Sequence, residues 1–507
     1  MISAVKILLS FLLALSAGPA WAHGEGRIGV VYFKVECNAA AQKEFNVAMA
    51  YYHSFDWDAM QAPLERTLKA DPACGMAHWA RALASLQNPF SWPQAIPAAS
   101  LAEGPRLLGQ AERAGLKSRR ERDYVEALGV FFAEQDKLEH RARAKALEQA
   151  LEQLMLRYRV DEEAAVLYAL VLSANFDPAD KKYTAQLKAA KILEKIFLDQ
   201  PDHPGAAHYL IHSYDYPPIA KKGLEAARRY SQIAPDAAHA LHMPSHIFTR
   251  VGAWQESVQA NLASARAAAG PGGHVPRLHA WDYMVYAYLQ LGEHAAAQQV
   301  VEAAFQDPLR TAHPTGAYAF AAMPARLALE RGAWKEASAL EPLAGYPWER
   351  FSFAEAVHAY ARGIGAAMSG DASQARIQAE RLGKLAEATA LPYWKEQIAI
   401  QLDVVDGLVL VAEGDEKAGL AALRAAAKRE DASEKHVITP GPIVPARELL
   451  AYVMLDKGDA KGALREFEAV LAKEPNRLRA LNGAIQSAER SGNRRKAKEY
   501  AAKLPGH

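Results

Sequence analysis

Cysteine is nearly absent from this chain of 507 residues, in which only Cys37 and Cys74 occur. In an oxidising compartment, a lone pair of cysteines close in sequence most often forms a disulfide, which predicts a Cys37–Cys74 bond. The alternative is a pair of buried free thiols, because two cysteines are too few to define a disulfide framework. Neither arrangement needs a catalytic thiol.

An excess of charge of either sign is also missing. Lysine and arginine number 59 against 58 aspartates and glutamates, and the two signs are mixed along the chain. Proteins that bind nucleic acid or an anionic membrane usually carry a basic excess or a basic patch. The sequence therefore argues against both kinds of partner.

The common enzyme signatures are missing as well. The sequence contains no GxSxG nucleophile elbow, no Walker phosphate loop, no HExxH helix and no dinucleotide-binding fingerprint. No window alternates apolar and polar residues for long enough to predict a sheet. These absences exclude the frequent α/β enzyme classes and leave helices as the expected structure.

Residues 1–22 have the pattern of a signal peptide: Lys6, an apolar run from Ile7 to Ala17, and then Gly18–Pro19 before Ala20–Trp21–Ala22. A membrane anchor would need about 20 apolar residues, and the run ends well short of that. We expect cleavage after Ala22 and a periplasmic or secreted protein. No later stretch is long and apolar enough to predict a membrane span in the mature chain.

A repeat of about 34 residues organises the chain. Pro201 and Pro235 are 34 residues apart, which is the period of a tetratricopeptide repeat (TPR). Helical turns are marked by glycine ahead of alanine-rich amphipathic stretches, at Gly252, Gly292, Gly332, Gly370, Gly414, Gly458 and Gly492. Antiparallel helix pairs of this kind bury their apolar faces only by stacking. The predicted fold is all-α, a tetratricopeptide-type solenoid forming a right-handed superhelix with a concave inner groove and irregular loop insertions.

Proline-rich stretches suggest the internal boundaries. The run from Asn88 through Pro93 to Pro105 separates the first repeats from the central ones, and residues 439–442 precede the last two hairpins. We therefore expect N-terminal hairpins with a proline-rich insertion over 23–118, a central solenoid over 119–438 and C-terminal repeats over 439–507.

Histidine is concentrated in the middle of the chain, where eight of the 17 histidines lie between residues 203 and 279. His208 and His212 are four residues apart, so both imidazoles project from one face of a helix. His242 and His246 repeat that spacing 34 residues later. Because this step equals the repeat period, we expect the four imidazoles side by side on adjacent inner helices.

Further polar residues fall in the same rows when neighbouring repeats are aligned on their turn glycines. His239 then matches His279, His242 matches Asp282, and His246 matches Tyr286, while Met323–Pro324 places Arg326 on the same surface. His239, Tyr214, Tyr286 and Arg326 are therefore predicted to line the groove.

Two imidazoles at positions i and i+4 can hold one transition metal, since both nitrogens reach an ion about 2 Å away. The predicted metal ligands are His208, His212, His242 and His246, with Asp282 or His279 completing the site. The competing interpretation is that these histidines pack and hydrogen-bond between helices or shape a peptide-binding groove. Isolated histidines beside aromatics, such as His53 and His358, are interpreted as helix contacts.

Two segments, HPGAAHYLIHSYDYP at 203–217 and HALHMPSHIFTRVGAW at 239–254, give the chain a specific likeness. In these segments, and in PGPIVPARELL at 440–450, the sequence resembles a family of secreted bacterial tetratricopeptide proteins of unassigned function. The resemblance implies the fold and export. It implies no known reaction.

Two hypotheses follow from the sequence. The first is an exported binding scaffold whose groove holds a protein or peptide. The second is a metalloprotein that binds zinc, copper or iron through the clustered histidines. If that metal is catalytic, hydrolysis is the first reaction to test, with Tyr286 as proton donor and Arg326 as anion clamp. A carrier of lipids or small molecules is a third possibility.

Overall fold

The computed structural model describes residues 26–93, 96–270 and 272–506. The predicted signal peptide, residues 1–22, and its cleavage site after Ala22 lie outside the described residues. Within the described ranges the chain is helical and contains no β-strand, which confirms the all-α prediction. In the same ranges no helix combines the length and the apolar character that a membrane crossing requires.

The helices of the N-terminal half are α1 (Ala39–His53), α2 (Gln61–Ala70), α3 (Gly75–Ala84), α4 (Ala98–Ala114), α5 (Arg119–Phe132), α6 (His140–Arg157), α7 (Glu162–Ala174), α8 (Thr184–Asp199), α9 (Pro204–Tyr214), α10 (Leu224–Ile233), α11 (Ala238–His242), α12 (Pro244–Val251) and α13 (Trp254–Ala267). Those of the C-terminal half are α14 (His274–Gln290), α15 (His294–Gln306), α16 (Pro314–Glu330), α17 (Trp334–Ser338), α18 (Ser352–Met368), α19 (Ala372–Ala388), α20 (Pro392–Ala412), α21 (Glu416–Ala432), α22 (Ala446–Asp456), α23 (Ala460–Lys473), α24 (Leu478–Arg490) and α25 (Arg494–Ala501). Short 3₁₀ turns span Pro89–Ser91, Ala220–Gly223 and Trp348–Arg350.

Successive helices pair as antiparallel hairpins, and the predicted glycines lie in the turns. All seven have positive φ, from 67° at Gly332 to 95° at Gly414. This left-handed conformation is open to glycine without a Cβ clash, so each glycine ends one helix and lets the next one reverse direction. The result is a tetratricopeptide-type array of helical hairpins, as the repeat pattern predicted.

Two local expectations need correction. Helix α4 begins at Ala98, so Pro105, at the end of the predicted proline-rich boundary, lies inside a helix. The segment carrying His242 and His246 is two short helices rather than one, because Pro244 lacks the amide hydrogen that would continue the ladder. Met243 joins α11 to α12 and keeps helical dihedral angles, so the i and i+4 relation of the two histidines survives.

A disulfide joins Cys37 to Cys74, with an S–S distance of 2.04 Å and Cα atoms 5.3 Å apart. It ties the segment that precedes α1 to the residue immediately before α3. The arrangement is the one expected from a lone cysteine pair.

Contacts between elements distant in sequence close the array on itself. Helix α1 contacts α9, and α24 contacts α14. Trp254 donates from its indole nitrogen to the Asn476 carbonyl oxygen at 2.9 Å. Buried apolar side chains form one large cluster between Ile28 and Phe248 and another between Leu278 and Ala497. The histidine-rich helices α9, α11, α12 and α14 lie where these two clusters meet.

Candidate metal centre

Six imidazoles from four helices form two groups of three. Triad A consists of His208 and His212 from α9 with His239 from α11, and triad B of His242 from α11, His246 from α12 and His279 from α14. Within each triad, one ligand nitrogen per residue lies within 4.8 Å of the other two. The four histidines predicted to share one metal site are thus divided between two groups, each completed by a further histidine.

Helix register explains how the triads assemble. Residues of α9 are buried along its whole length, so the face that carries His208 and His212 is pressed against neighbouring helices. His239 lies one turn before His242 on α11, and its Nε2 approaches the Nε2 of His208 to 3.1 Å. His242 and His246 bring their Nε2 atoms equally close, at 3.1 Å.

Hydrogen bonds fix the imidazole orientation in triad B. The Nδ1 of His242 lies 2.6 Å from Oδ1 of Asn261, whose amide nitrogen donates to the Ser257 carbonyl and so identifies Oδ1 as an acceptor. The Nδ1 of His246 lies 2.8 Å from Oδ2 of Asp215. Each ring donates through Nδ1, which leaves its Nε2 unprotonated in the neutral form.

Triad A has a similar outer shell. The Nδ1 of His208 donates to the backbone carbonyl of His53 at 2.7 Å. The His212 ring stacks on Phe90, with centroids 3.8 Å apart, and its buried Nε2 has no hydrogen-bond partner among the described residues. Metal-binding histidines typically donate one nitrogen to a carbonyl or carboxylate and aim the other at the ion.

Burial keeps these imidazoles neutral. The pKa of His246 is lowered to about 4, chiefly by desolvation and then by repulsion from the Lys435 ammonium, while the Asp215 carboxylate opposes the shift. Desolvation also holds the pKa of His208, His212 and His242 well below 6.5, and the neighbouring imidazoles act in the same direction. At neutral pH each of these imidazoles is therefore uncharged and has one nitrogen lone pair that can bind an ion.

The two triads share a wall. Ring centroids are 6.1 Å apart for His212 and His246, and 6.3 Å apart for His239 and His242. Tyr283 packs against triad B, with its ring 4.8 Å from that of His242. The first pair packs edge-on and the second is tilted, so ions held in the two triads would be close neighbours.

The segment that links α21 to α22 covers this region. We call residues 433–442 the strap. Lys435 donates from Nζ to Oδ2 of Asp215 at 2.7 Å, and Tyr283 donates its hydroxyl hydrogen to the Thr439 carbonyl at 3.0 Å. His279 is hydrogen-bonded with the backbone of Ile438. Burial lowers the pKa of Lys435 to about 8, and the nearby Asp215 carboxylate opposes that shift.

A third group, His53, Glu163 and His203, has a different character. His203 accepts the Ala206 amide hydrogen at Nδ1 (3.1 Å) and donates from Nε2 to Glu163 at 2.9 Å. His53 donates to the other Glu163 oxygen at 3.0 Å and accepts from the Tyr209 hydroxyl at 2.9 Å. Every imidazole nitrogen has a partner, so this group is a hydrogen-bond network, and it holds His53 in place behind His208.

Comparison with known proteins yields likenesses only at the level of solved structures. Human IFIT1, solved as a dimer with m7Gppp-AAAA, is 12% identical, with 93% of this chain and 96% of that chain covered and a TM-score of 0.38. The TPR domain of P58(IPK) is 10% identical, with 90% and 100% covered and a TM-score of 0.20. No protein-family model and no curated protein matches the sequence.

Several predicted site residues lie elsewhere. Asp282 is fully buried and pairs with Arg326, Oδ1 to Nε at 3.3 Å, instead of joining a triad. The cause is helix phase: on α14 the ring that reaches His242 and His246 belongs to His279, and Asp282 lies three residues further on. Burial raises the pKa of Asp282 to about 6, although the Arg326 charge opposes the shift.

The predicted groove residues Arg326, Tyr286 and Tyr214 make hydrogen bonds inside the protein. Arg326 donates to the strap, at the carbonyls of Pro442 and Gly441 and at the Thr439 hydroxyl. The Tyr286 hydroxyl lies 3.0 Å from both Glu474 and Arg477, and the Tyr214 hydroxyl bonds Glu194 at 2.6 Å. These side chains are buried by neighbouring helices and loops, so they do not line an open groove.

Sequence reasoning placed His239 in the groove but missed its role in triad A. The 34-residue step that relates the two HxxxH pairs places Gly205 opposite His239, so it did not associate His239 with His208 and His212. The partners Asn261, Asp215 and Lys435 were also missed, because each comes from a different element brought close only by folding. The HxxxH spacing located the pairs, and the third ligand of each came from a neighbouring helix.

Proposed function

We propose that this protein is an exported transition-metal-binding protein whose metal centre is formed by triads A and B. The contact between His242 and His246 carries the proposal. Both rings donate from Nδ1, to Asn261 and to Asp215, so both Nε2 atoms hold lone pairs and face each other at 3.1 Å. Two lone pairs at that distance repel unless a cation lies between them.

The separation suits an ion. Two nitrogens at about 2.0–2.1 Å from one metal, at a tetrahedral angle, lie about 3.3 Å apart. The 3.1 Å contacts in the two triads fall close to that value. Because three nitrogens converge in each triad, each can supply three ligands and leave one position open, as in exchangeable or catalytic sites.

The unpartnered nitrogens support the same conclusion. Buried polar atoms are nearly always hydrogen-bonded, and leaving one unpaired costs about 1–3 kcal/mol. Among the described residues, buried ring nitrogens of His78 and His358 outside the triads also have no hydrogen-bond partner, and within the triads the unpartnered nitrogens are His212 Nε2 and His279 Nδ1. These two nitrogens belong to triad A and triad B, so an ion bound in each triad would coordinate them.

The test is elemental analysis of the purified mature protein without an affinity histidine tag. We expect up to two zinc, copper or iron ions per chain. Because each triad needs its own histidines, His208→Ala and His246→Ala should each lose one ion, and the double variant both. N-terminal sequencing of the same exported protein should begin at His23 if cleavage follows Ala22.

Two further variants guard against misfolding. His212→Phe replaces the imidazole with a phenyl ring that can still stack on Phe90, and it removes Nε2, which has no hydrogen-bond partner among the described residues. The chain should therefore fold and lose the triad A ion. His358→Ala is the matched control, since His358 is a buried histidine of α18 outside both triads. If the wild-type protein takes up no metal even after incubation with the ions, the metal proposal is wrong.

A metal-free protein would return attention to the scaffold hypothesis. A cleft lies along the strap, and both aromatic and charged side chains line it, among them Tyr393, Trp394 and Lys435. Such a cleft suits a peptide or a small apolar ligand. For hydrolysis, the hydroxyl that contacts triad B is that of Tyr283, while Tyr286 and Arg326 are held elsewhere.

A further inference from the structure

We propose that triads A and B form one dinuclear centre and that its ions are monovalent copper, Cu(I). This inference rests on the proposed function, because it concerns the identity of the metal at the same site. Imidazole ligands suit zinc, copper, iron and nickel alike, so the donor type does not select among them. The charge around the site does distinguish between these metals.

The donor set itself is uncharged. All six ligands are imidazoles, and neither triad includes a carboxylate or a thiolate. Nothing in the first coordination sphere therefore neutralises an incoming cation.

The surroundings are positive. Asp215 is held by both Arg250, at 2.8 Å, and Lys435, at 2.7 Å. These two cations and one anion have side chains exposed by less than a tenth, and they give a net charge of about +1 behind His246. Two further carboxylates lie close by and have cations of their own, since Asp282 pairs with Arg326 and Glu434 pairs with Lys181.

Adding metal raises this buried charge. The cost of placing charge in a poorly solvated region grows with the square of the charge, and buried neighbours are screened little. Two divalent ions would add four positive charges beside Arg250 and Lys435, whereas two Cu(I) ions add two. The same three-nitrogen sites therefore favour the monovalent ion over Zn(II).

The placement of the triads makes the two sites one centre. His212 packs edge-on against His246, with ring centroids 6.1 Å apart, and His239 lies tilted against His242 at 6.3 Å, so imidazoles of the two triads are adjacent. His239 and His279 are partly exposed, whereas the other four ligands are buried. Each triad therefore includes one ligand residue that is not fully buried.

The test compares metals under anaerobic conditions. Metal-free mature protein would be titrated with Cu(I) supplied as its bicinchoninate complex, and then with zinc sulfate. We expect two Cu(I) per chain, no electron paramagnetic resonance signal before exposure to air, and retention of copper in about tenfold excess Zn(II).

Lys435→Met tests the electrostatic argument directly. Removing the buried charge should raise Zn(II) affinity relative to Cu(I) affinity by about tenfold or more, because a divalent ion feels that charge twice as strongly. Lys473→Met is the control, since Lys473 is partly exposed and pairs with Asp431.

The outcomes separate the two proposals. Displacement of Cu(I) by Zn(II), a single copper per chain, or an unchanged metal preference in Lys435→Met overturns the dinuclear Cu(I) assignment. If zinc or iron then fills the triads, the proposed metal-binding function still holds. If no ion binds, both fail.

Discussion

At the residue scale, the partner of each imidazole decides what it can bind. His53 and His203 share Glu163, and each of their ring nitrogens has a hydrogen-bond partner. His242 and His246 use one nitrogen for Asn261 or Asp215 and aim the other at the opposite ring. The same residue type is therefore structural in one place and a candidate ligand in the next.

Asn261→Leu should weaken metal binding without unfolding the protein. The change removes the acceptor that fixes the tautomer of His242, and loss of such an outer partner lowers metal affinity by about 10–100-fold. Competition with a chelator would measure the loss. Ser245→Ala is the matched control, because the Ser245 hydroxyl makes only a 3.4 Å contact with the same Asn261 oxygen. Equal affinities in the two variants would argue against an orienting role.

At the element scale, glycine turns set the hairpins, and some turns also make contacts across the molecule. The α12–α13 turn at Gly252 lies against Pro475 and Asn476, which lead into α24. Asn476 donates from its side-chain amide to the Gly252 carbonyl at 3.2 Å. The turn beside the metal centre is therefore docked onto the C-terminal repeats, whereas the turn at Gly458 is open.

Gly252→Ala should destabilise the protein more than Gly458→Ala. Both positions have positive φ, 72° and 89°, so both variants carry the backbone strain of a left-handed alanine. At Gly252 the added Cβ would also lie 2.2 Å from the Pro475 carbonyl oxygen, and at Gly458 it meets nothing within 4 Å. We expect a further loss of about 1–3 kcal/mol from this overpacking, measured by thermal or denaturant unfolding. Equal losses would show that the turn is not docked.

At the scale of the whole molecule, buried ion pairs connect helices far apart in sequence. Arg477, at the start of α24, is fully buried and bonds Glu330 of α16 and Glu448 of α22, each at 2.6 Å. It also donates to the Tyr286 hydroxyl of α14 at 3.0 Å. These contacts close the array around the histidine helices.

Arg477→Met should lower the free energy of unfolding by about 3–5 kcal/mol, because it leaves Glu330 buried without its cation and Glu448 with Arg479 alone. Arg495→Met, at a site whose side chain is 79% exposed and pairs with Glu499, should change it by less than about 1 kcal/mol. Urea unfolding of both variants checks the difference. A small loss in Arg477→Met would mean that the carboxylates find other partners.

The sequence by itself determined the helical class, the hairpin turns and the location of the histidine pairs. Repeat period, turn glycines and HxxxH spacing are local patterns, and they act through backbone geometry that neighbouring residues impose. The HxxxH pairs thus identified four of the six imidazoles. The alignment on turn glycines offered His279 and Asp282 as alternative further ligands.

Only the tertiary structure decided which third residue completes each triad and which groups orient and cover the rings. His239, Asn261, Asp215 and Lys435 reach the site from separate elements, and the phase of α14 brings His279 rather than Asp282 to triad B. Residues three apart differ by only about 60° around a helix axis and about 4.5 Å along it. Small differences in helix packing therefore decide which of the two residues reaches the site. Such choices depend on long-range contacts that no local pattern encodes.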